Sequence, residues 1–443
     1  MAPTRRMVLW SALVFAPAAG LWWTSPSEML LPGAVAALFL LAAAADAAAS
    51  ARRLSGVSVA SPEAVRLFRG RASDVALTVS SSRGGTFALG LDLPGPFSAE
   101  TALVRVRLPR GGEARVSWPV ACARQGEFAL GDCFVQARSP LSLWAVRARR
   151  ATGARVLVYP DAASEKNRIA SLFLGKSFGV HAFRQVSKGR EFEKLKDYET
   201  GDSLEDIHWK TAAKRRRPVT KVYQLERTQR VVALVDAGRL SARSAAGYSA
   251  NDHAAPDPLA PLLWERFSTA ALVLCMAAIR QGDLFGLGAF SDRMHFLVPP
   301  KGGPAQVNAC REALVKVRPS PVSPDYHEAF SALAARITKR SLLVFFTCLD
   351  DAAVAENFEK NVALAAKKHL VLAASMVPSG ARPLFSGPPR GLYADLAGLA
   401  FRELQAVRKR LQSRGADLLL VRSENLCPAV VDRYVSVKRR QKL

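Results

Sequence analysis

Cysteine and histidine are scarce in this 443-residue sequence, and neither falls in a pattern typical of metal binding or catalysis. There are six of each, with no C-x-x-C pair and no histidine at zinc-like spacing from a cysteine. Cys275 and Cys348 lie inside apolar runs, where a thiol packs as a small hydrophobic group. The sequence therefore argues against a disulfide scaffold and fits a reducing compartment.

The common enzyme motifs are missing as well. No nucleotide-binding P-loop, serine nucleophile elbow, zinc-protease helix or dinucleotide fingerprint occurs in the sequence. The glycines of 282–288 flank a predicted strand and do not open a helix, so they do not predict a phosphate site. We expect a protein that is not an enzyme and that needs no cofactor.

Acidic residues are few relative to basic ones. The 37 Asp and Glu residues face 62 Lys and Arg residues, which gives a net charge of +25. Such a balance favours anionic partners such as phospholipid surfaces, nucleic acid or acidic proteins. Because arginine is spread along the chain and no nucleic-acid motif accompanies it, we expect no specific nucleic-acid partner.

Two apolar runs near the N-terminus, 7–23 and 29–45, are each about long enough to cross a membrane. We predict a transmembrane hairpin over 1–53. Basic residues flank both of its ends: Arg5, Arg6, Arg52 and Arg53. By the positive-inside rule both ends face the cytoplasm, so the later domains would lie on the cytoplasmic side. A signal peptide is the alternative interpretation of this region.

Residues 54–160 show short apolar runs with a period near two, separated by glycine, proline and serine clusters. This pattern predicts a β-rich domain, a sandwich of immunoglobulin-like size. Nothing in this region resembles a catalytic cluster, so a spacer or docking module is expected.

From residue 230 to 443 the pattern alternates strand with helix, which predicts a doubly wound α/β domain. Strands are predicted at 231–236, 284–290, 341–347, 369–377 and 416–421, with an edge strand at 295–300. Helices are predicted at about 260–281, 304–317, 325–339, 351–368, 393–413 and 424–438.

The segment 161–229 is predicted to be a linker that leads into a dense signature. Its singled-out residues are Tyr198, Gly201, Asp202, Asp206, His208, Trp209 and Lys210. We expect a tight turn at Gly201, with Asp202 capping a short helix that buries Trp209 and leaves His208 more exposed. The signature is interpreted as a structural clamp or a partner-binding surface. The basic run 214–217 is expected to be solvated and weakly attracted to membranes.

The stretch DYETGDSLEDIHWKTAAK…VTKVYQLERTQ resembles the signature of a bacterial family known as domain of unknown function 58. The family's marks are a Tyr-x-x-Gly-Asp turn, here Tyr198 to Asp202, and an Ile-x-Trp-Lys segment, here Ile207 to Lys210. The resemblance extends from about Val57 to the C-terminus. It implies a von Willebrand factor A-like domain, the bacterial cytoplasmic membrane, and a MoxR-type AAA+ ATPase as partner.

The resemblance also implies a place for a divalent cation, because von Willebrand A-like domains often bind one through Asp-x-Ser-x-Ser and later Thr and Asp residues. Here only Asp236 of the first motif remains, since Gly238 and Leu240 replace the two hydroxyls. The Thr position falls nearest Pro324 and the later Asp position on Cys348. One certain carboxylate is too few to hold Mg²⁺. Mg²⁺ at Asp236 stays an alternative, with other oxygen donors nearby: Ser323, Asp325, Asp350 and Asp351.

Three hypotheses follow. The first is a membrane-anchored adaptor whose α/β domain binds a protein partner. The second is a metal-dependent ligand-binding domain built around Asp236. The third is an envelope enzyme that uses Asp202, Asp206 and His208 for acid–base chemistry.

Overall fold

The computed structural model describes residues 1–24, 30–165, 191–199, 204–224, 229–248, 260–378 and 392–440. The chain divides into two compact units, Met1–Pro160 and Asp161–Leu443. The first unit holds two long helices and a β-rich domain. The second holds a small signature hairpin and a large α/β sheet.

The N-terminal helices are α1 (Arg5–Thr24) and α2 (Leu30–Ser50). They lie side by side, with the rings of Phe15 and Phe39 in edge contact at 6.1 Å. Of the described helices, only α2 is long and apolar enough to cross a membrane by length and composition. Helix α1 carries two arginines in its first turn and a proline at its middle. Helix α2 therefore has the length and composition predicted for a membrane span, whereas the predicted two-helix hairpin is not confirmed.

The β-rich domain contains three sheets. The strands are β1 (Ala2–Pro3), β2 (Val57–Ala60), β3 (Ala64–Phe68), β4 (Ser73–Ser81), β5 (Gly85–Leu91), β6 (Phe97–Ala99), β7 (Val104–Leu108), β8 (Gly112–Cys122), β9 (Gly126–Ala129), β10 (Cys133–Arg138), β11 (Trp144–Arg150) and β12 (Arg155–Tyr159). Their sheet orders are β1-β11-β10-β5-β7, β2-β4-β8-β6 and β3-β12-β9.

Alternation along these strands produces the core of this domain. In β4, Val75, Leu77 and Val79 are fully buried, while the residues between them are partly exposed. Because successive side chains of a strand face opposite sides, this pattern buries one face of the sheet. The β-rich prediction is confirmed. The immunoglobulin-like description is not, since the third sheet pairs β3 with β12 in parallel, whereas that fold consists of two antiparallel sheets.

The helices are attached to the β-rich domain through the turn before β11. The backbone N–H of Leu141 donates to Asp46 Oδ1 at 3.0 Å, and the Trp144 indole donates to the Ala43 carbonyl at 2.9 Å. The Thr4 hydroxyl donates to the Ser142 carbonyl at 2.6 Å. Both ends of the helix pair are therefore hydrogen-bonded to one turn.

The second unit is built on a six-stranded sheet. Its strands are β15 (Arg230–Asp236), β16 (Leu284–Phe290), β17 (Met294–Lys301), β18 (Leu342–Phe346), β19 (Leu370–Met376) and β20 (Ala416–Val421), in the order β17-β16-β15-β18-β19-β20. All neighbours are parallel except the edge pair β16 and β17. The helices are Leu263–Arg280, Pro304–Val315, Tyr326–Arg336, Ala352–Ala366, Leu392–Ser413 and Leu426–Arg439.

This order confirms the predicted doubly wound sheet. The central strands β15 and β18 are buried on both faces, because parallel strands of this type are covered by helices on each side. The strand order reverses between β15 and β18, which leaves a crevice at their carboxyl ends. Asp236, the last residue of β15, lies at this edge.

The signature hairpin is defined here as residues 191–199 and 204–224. Strand β13 (Glu191–Asp197) pairs antiparallel with β14 (Val219–Gln224). Between them lie a 3₁₀ turn, Leu204–Asp206, and a short helix, Trp209–Arg215. The end of the segment predicted to be a linker is therefore regular structure.

Candidate functional site at the carboxyl edge of the sheet

Asp236 is completely buried at the end of β15. Its Oδ1 accepts a hydrogen bond from the Gly238 N–H at 2.7 Å, and its Oδ2 accepts one from the Thr347 hydroxyl at 2.7 Å. The Tyr326 hydroxyl lies 2.7 Å from Thr347 Oγ1. Since Thr347 gives its proton to Asp236, Tyr326 is the donor in that second contact. Tyr326, Thr347 and Asp236 form a short buried relay.

Burial raises the pKa of Asp236 to about 6, although the hydrogen bonds from Thr347 and Gly238 lower it. Burial also raises the pKa of Tyr326 well above its usual range, and the nearby Asp236 charge adds to this effect. Desolvation disfavours the charged form of each group. At neutral pH the carboxylate is thus charged but surrounded by neutral hydrogen-bond donors.

Two arginines from the loop after β15 reach across to the loop after β18. Arg239 pairs with Asp351 and also donates to the Ser323 hydroxyl at 3.2 Å. Arg243 pairs with Asp350 at 2.8 Å. We call these five residues the arginine edge. The arginine side chains are 40% and 45% exposed, so the pairs stand at the surface above the buried relay.

The residues at this edge do not fit a divalent cation. The two hydroxyl positions of the first motif are Gly238 and Leu240, which supply no side-chain oxygen. Both oxygens of Asp236 already accept hydrogen bonds. Within the described residues no group of three or more His, Cys, Asp and Glu could hold a metal ion. Mg²⁺ requires several oxygen ligands in near-octahedral array, and this donor set does not provide them.

The predicted substitute ligands have other roles. Asp325 caps the helix Tyr326–Arg336, with its Oδ1 accepting from the Glu328 N–H at 3.2 Å. Asp351 caps the helix Ala352–Ala366 in addition to pairing with Arg239. Cys348 is buried, and burial raises the pKa of its thiol. The acidic side chains among these predicted ligands therefore serve as helix caps and ion-pair partners.

A Ser–His–Asp group also lies at this edge, after β16. The Ser291 hydroxyl donates to Asp292 Oδ1 at 2.7 Å and lies 2.9 Å from His295 Nε2. In a hydrolase the acid orients the histidine and the histidine takes the serine proton. Here the serine proton goes to the acid, and Ser291 is completely buried. The group therefore does not make an activated nucleophile.

The structure describes part of the signature. His208 caps the helix Trp209–Arg215, since His208 Nδ1 accepts from the Thr211 N–H at 3.2 Å. Trp209 is 70% exposed instead of buried, because it occupies the first position of a seven-residue helix whose neighbour Ile207 is the inward residue. Gly201 and Asp202 lie outside the described residues.

The other signature residues are spread along the hairpin. Tyr198 joins the two strands through its N–H, which donates to the Pro218 carbonyl at 3.0 Å. Asp206 ends the 3₁₀ turn and Lys210 is exposed on the short helix. The nearby acid Asp197 pairs with Arg217 at 2.9 Å.

Sequence reasoning missed Arg239, Arg243, Thr347 and Tyr326. The signal for the arginines was their position directly after β15, in place of the small hydroxyl residues of the cation motif. The double acid Asp350–Asp351 after β18 was the matching signal. Arg239 lies 112 residues before Asp351 in the chain, and Arg243 lies 107 residues before Asp350. No local sequence pattern therefore indicates these pairs.

The fold and this edge define a doubly wound α/β domain whose sheet crevice is closed by ion pairs. Residues 194–384 match the family described as "Protein of unknown function DUF58". This match confirms the resemblance found in the signature. No curated protein matches the chain.

Several solved structures are distantly similar. BatB from Bacteroides thetaiotaomicron is 13% identical, over 48% of this chain and 99% of that one, with a TM-score of 0.30. An aerotolerance-related membrane protein from Bacteroides fragilis is 12% identical, over 47% and 98%, with a TM-score of 0.29. The VWA domain of SpRpn10 is 12% identical, over 46% and 95%, with a TM-score of 0.30. Similarity this low carries no argument about this chain.

Proposed function

We propose that this chain is a membrane-anchored adaptor whose α/β domain binds a protein partner through the arginine edge and catalyses no reaction. The proposal rests on the residues that occupy the crevice at the carboxyl ends of β15 and β18. Asp236 is closed off by neutral donors, while Arg239 and Arg243 present half-exposed guanidinium groups on top of it.

The geometry of these pairs supports binding. Each guanidinium is already held by a carboxylate, so less side-chain freedom is lost when a partner docks. Arginine is enriched in protein interfaces because its planar group makes several directed hydrogen bonds. Charges of both signs lie side by side, which favours a partner with the complementary arrangement and sets its orientation.

The family resemblance indicates the partner and the site of action. It implies a MoxR-type AAA+ ATPase as the protein bound. Helix α2 supports anchoring in a membrane, and the proposal includes α1 as the second arm of a hairpin. The basic residues at the outer ends of both helices would keep the two domains on the cytoplasmic side.

The other two hypotheses have less support. A metal-dependent domain needs oxygen ligands that the residues around Asp236 do not supply. An enzyme needs an acid and a base held across a substrate. His208 instead accepts the hydrogen bond that begins a helix, and Ser291 is buried with its proton directed to Asp292.

Affinity capture of the full chain from membranes, with the MoxR-type ATPase supplied, tests the adaptor function. Arg239→Ser with Arg243→Ser should weaken capture by about tenfold or more, since loss of close charge pairs at an interface costs a few kcal/mol. Lys360→Ser removes an exposed ion pair elsewhere on the domain and should leave capture unchanged. Equal capture by the double variant would refute the proposed surface.

Calorimetry of the full chain with Mg²⁺ and Mn²⁺ separates the adaptor from the metal-dependent hypothesis. We expect no one-site binding. Clear binding that Asp236→Asn abolishes would favour the second hypothesis, and turnover by the purified chain would favour the third.

A further inference from the structure

The signature hairpin exposes two large apolar side chains within six residues of each other. Leu204 is 68% exposed and Trp209 is 70% exposed. Exposed single hydrophobics are common on proteins, so these two side chains indicate an apolar ligand only in combination with the charges around them. The arginine edge does not include these residues, so the proposed partner surface does not explain them.

The local structure holds Trp209 in the exposed position. Ile207 is buried and forms an isolated bridge with Thr220 of β14. His208 then caps the helix through its contacts with Thr211, at 3.2 Å to the backbone N–H and 2.7 Å to the hydroxyl. The side chain of Ile207 is therefore held in the interior of the hairpin, and that of Trp209 is held in solvent.

The same helix carries a group of basic side chains. Lys210, Lys214, Arg215 and Arg216 are all exposed and form no ion pair with a described residue. Arg217, the next residue, is paired with Asp197 at 2.9 Å. Within eight residues the surface thus combines an indole with four positive charges that pair with no residue in the described part of the chain.

We infer that this surface, formed by Leu204, Trp209, Lys210, Lys214 and Arg216, docks on an anionic phospholipid bilayer. Tryptophan prefers the interface between headgroups and acyl chains, where its ring is partly apolar and its N–H is hydrated. Clustered lysine and arginine are attracted to anionic headgroups. Both preferences are met at one place, on a chain that already carries a helix able to cross a membrane.

Charge favours a bilayer over an acidic protein as the occupant. These four charges are of one sign and lie on a short helix and the residue that ends it, so they fit a broad anionic surface without directed pairing. Each basic residue near such a surface strengthens attachment about fivefold. Neutralising three of them should therefore weaken attachment by roughly a hundredfold.

Fluorescence of a labelled full-length chain in lipid nanodiscs tests the inference. The six native cysteines are buried, so Ala213→Cys, one turn after Trp209 and exposed, offers a selective labelling site. An environment-sensitive dye at this site should shift to the blue in phosphatidylcholine–phosphatidylglycerol discs and be quenched by spin-labelled lipid. Discs of phosphatidylcholine alone should give little shift, and about 1 M salt should reverse it because charges are then screened beyond roughly 3 Å.

Matched variants decide the outcome. The blue shift of the dye at position 213 should disappear when Lys210→Gln, Lys214→Gln and Arg216→Asn are combined. It should become smaller with Trp209→Ser alone. The control label, Leu364→Cys, lies on an exposed position of the α/β domain, 74% exposed, and should not respond to lipid. If the dye at position 213 responds to lipid no more than the dye at position 364, the inference is overturned. It is also overturned if the dye at 213 shifts to the blue only when a protein partner is added.

Discussion

Thr347 donates a hydrogen bond of 2.7 Å to Asp236, and both residues are completely buried. This contact joins the end of β15 to the residue after β18, the two strands between which the sheet order reverses. Gly238 completes the arrangement from the other side of the carboxylate, at 2.7 Å. The place where the family resemblance implies oxygen ligands for a cation is thus occupied by the protein's own hydrogen-bond donors.

Replacing Asp236 by Asn should stabilise the protein at neutral pH. The pKa of Asp236 is raised from 3.8 to about 6 in the folded state. As pH rises, the carboxyl group therefore loses its proton in the unfolded chain before it does so in the folded protein. The free energy of unfolding falls between about pH 4 and 6 as a result. Above pH 6 the cost is about 3 kcal/mol, from roughly 1.4 kcal/mol for each pKa unit. Asparagine keeps an acceptor for Gly238 and carries no charge.

Urea unfolding of the full chain at several pH values measures this effect. The advantage of Asp236→Asn should be largest above pH 6 and should vanish near pH 4. A variant that is less stable than the parent at every pH would mean that the Thr347 bond contributes more than the charge costs.

Introducing the motif hydroxyl by Gly238→Ser should destabilise the protein. A Cβ atom at this position would lie 2.9 Å from the Val322 carbonyl oxygen and 3.0 Å from Asp236 Oδ1. The carbonyl belongs to the backbone and cannot move aside freely, so we expect a loss of about 1–3 kcal/mol. Gly398→Ala is the control, since nothing lies within 4 Å of its Cβ position. That variant should be neutral or stabilising in a helix.

Removing Glu359 should loosen the helix Leu392–Ser413. Its side chain is 4% exposed and accepts from Arg410 at 2.9 and 3.1 Å, while the Arg414 guanidinium lies 3.6 Å away. We expect Glu359→Ala to cost about 2 kcal/mol, because hydrogen bonds to a buried charge are lost. The arginines are partly exposed, which keeps the cost below that of a fully buried pair.

Thermal unfolding of Glu359→Ala beside Glu356→Ala measures the difference. Glu356 pairs with Lys360 on the exposed face of the helix Ala352–Ala366, which also carries Glu359. Its loss should change stability much less, because solvent screens an exposed ion pair. Equal effects of the two variants would show that burial adds nothing at Glu359.

Replacing Asp46 by Ala should free the turn before β11 from α2. Asp46 Oδ1 accepts from the Leu141 N–H at 3.0 Å in a partly buried hydrogen bond, and loss of such a bond costs roughly 0.5–1.5 kcal/mol. Hydrogen exchange of the Leu141 amide in the full chain should then accelerate by about tenfold or more. Asp46→Asn keeps the acceptor and should retain protection. Unchanged exchange in Asp46→Ala would show that the turn is held by Trp144 and Thr4 instead.

Much of the α/β domain could be predicted from sequence. Its central strands are continuous apolar runs, such as Val231 to Val235, and this composition is typical of strands buried on both faces. The predicted strands and helices fall within a few residues of those observed. The parallel pairing of β3 with β12 could not be predicted, because Ala64 and Arg155 are far apart in sequence and no turn between them indicates it.

The candidate site was less predictable. Loss of the cation ligands could be seen at Gly238 and Leu240, whereas the pairing of Arg239 with Asp351 depends on two loops that only the folded sheet brings together. The exposure of Trp209 was predicted wrongly, because a helix of seven residues is too short for its apolar spacing to define a buried face.

The bonds between the turn and α2 also impose an order of events during synthesis. Asp46 and its donor Leu141 are 95 residues apart, and Ala43 and Trp144 are 101 apart. A ribosome at codon 100 has therefore released the helix but not its hydrogen-bond donors. In that interval the nascent helix carries an acid without its native donor, so translation arrested before residue 141 should yield chains that quality-control proteases remove.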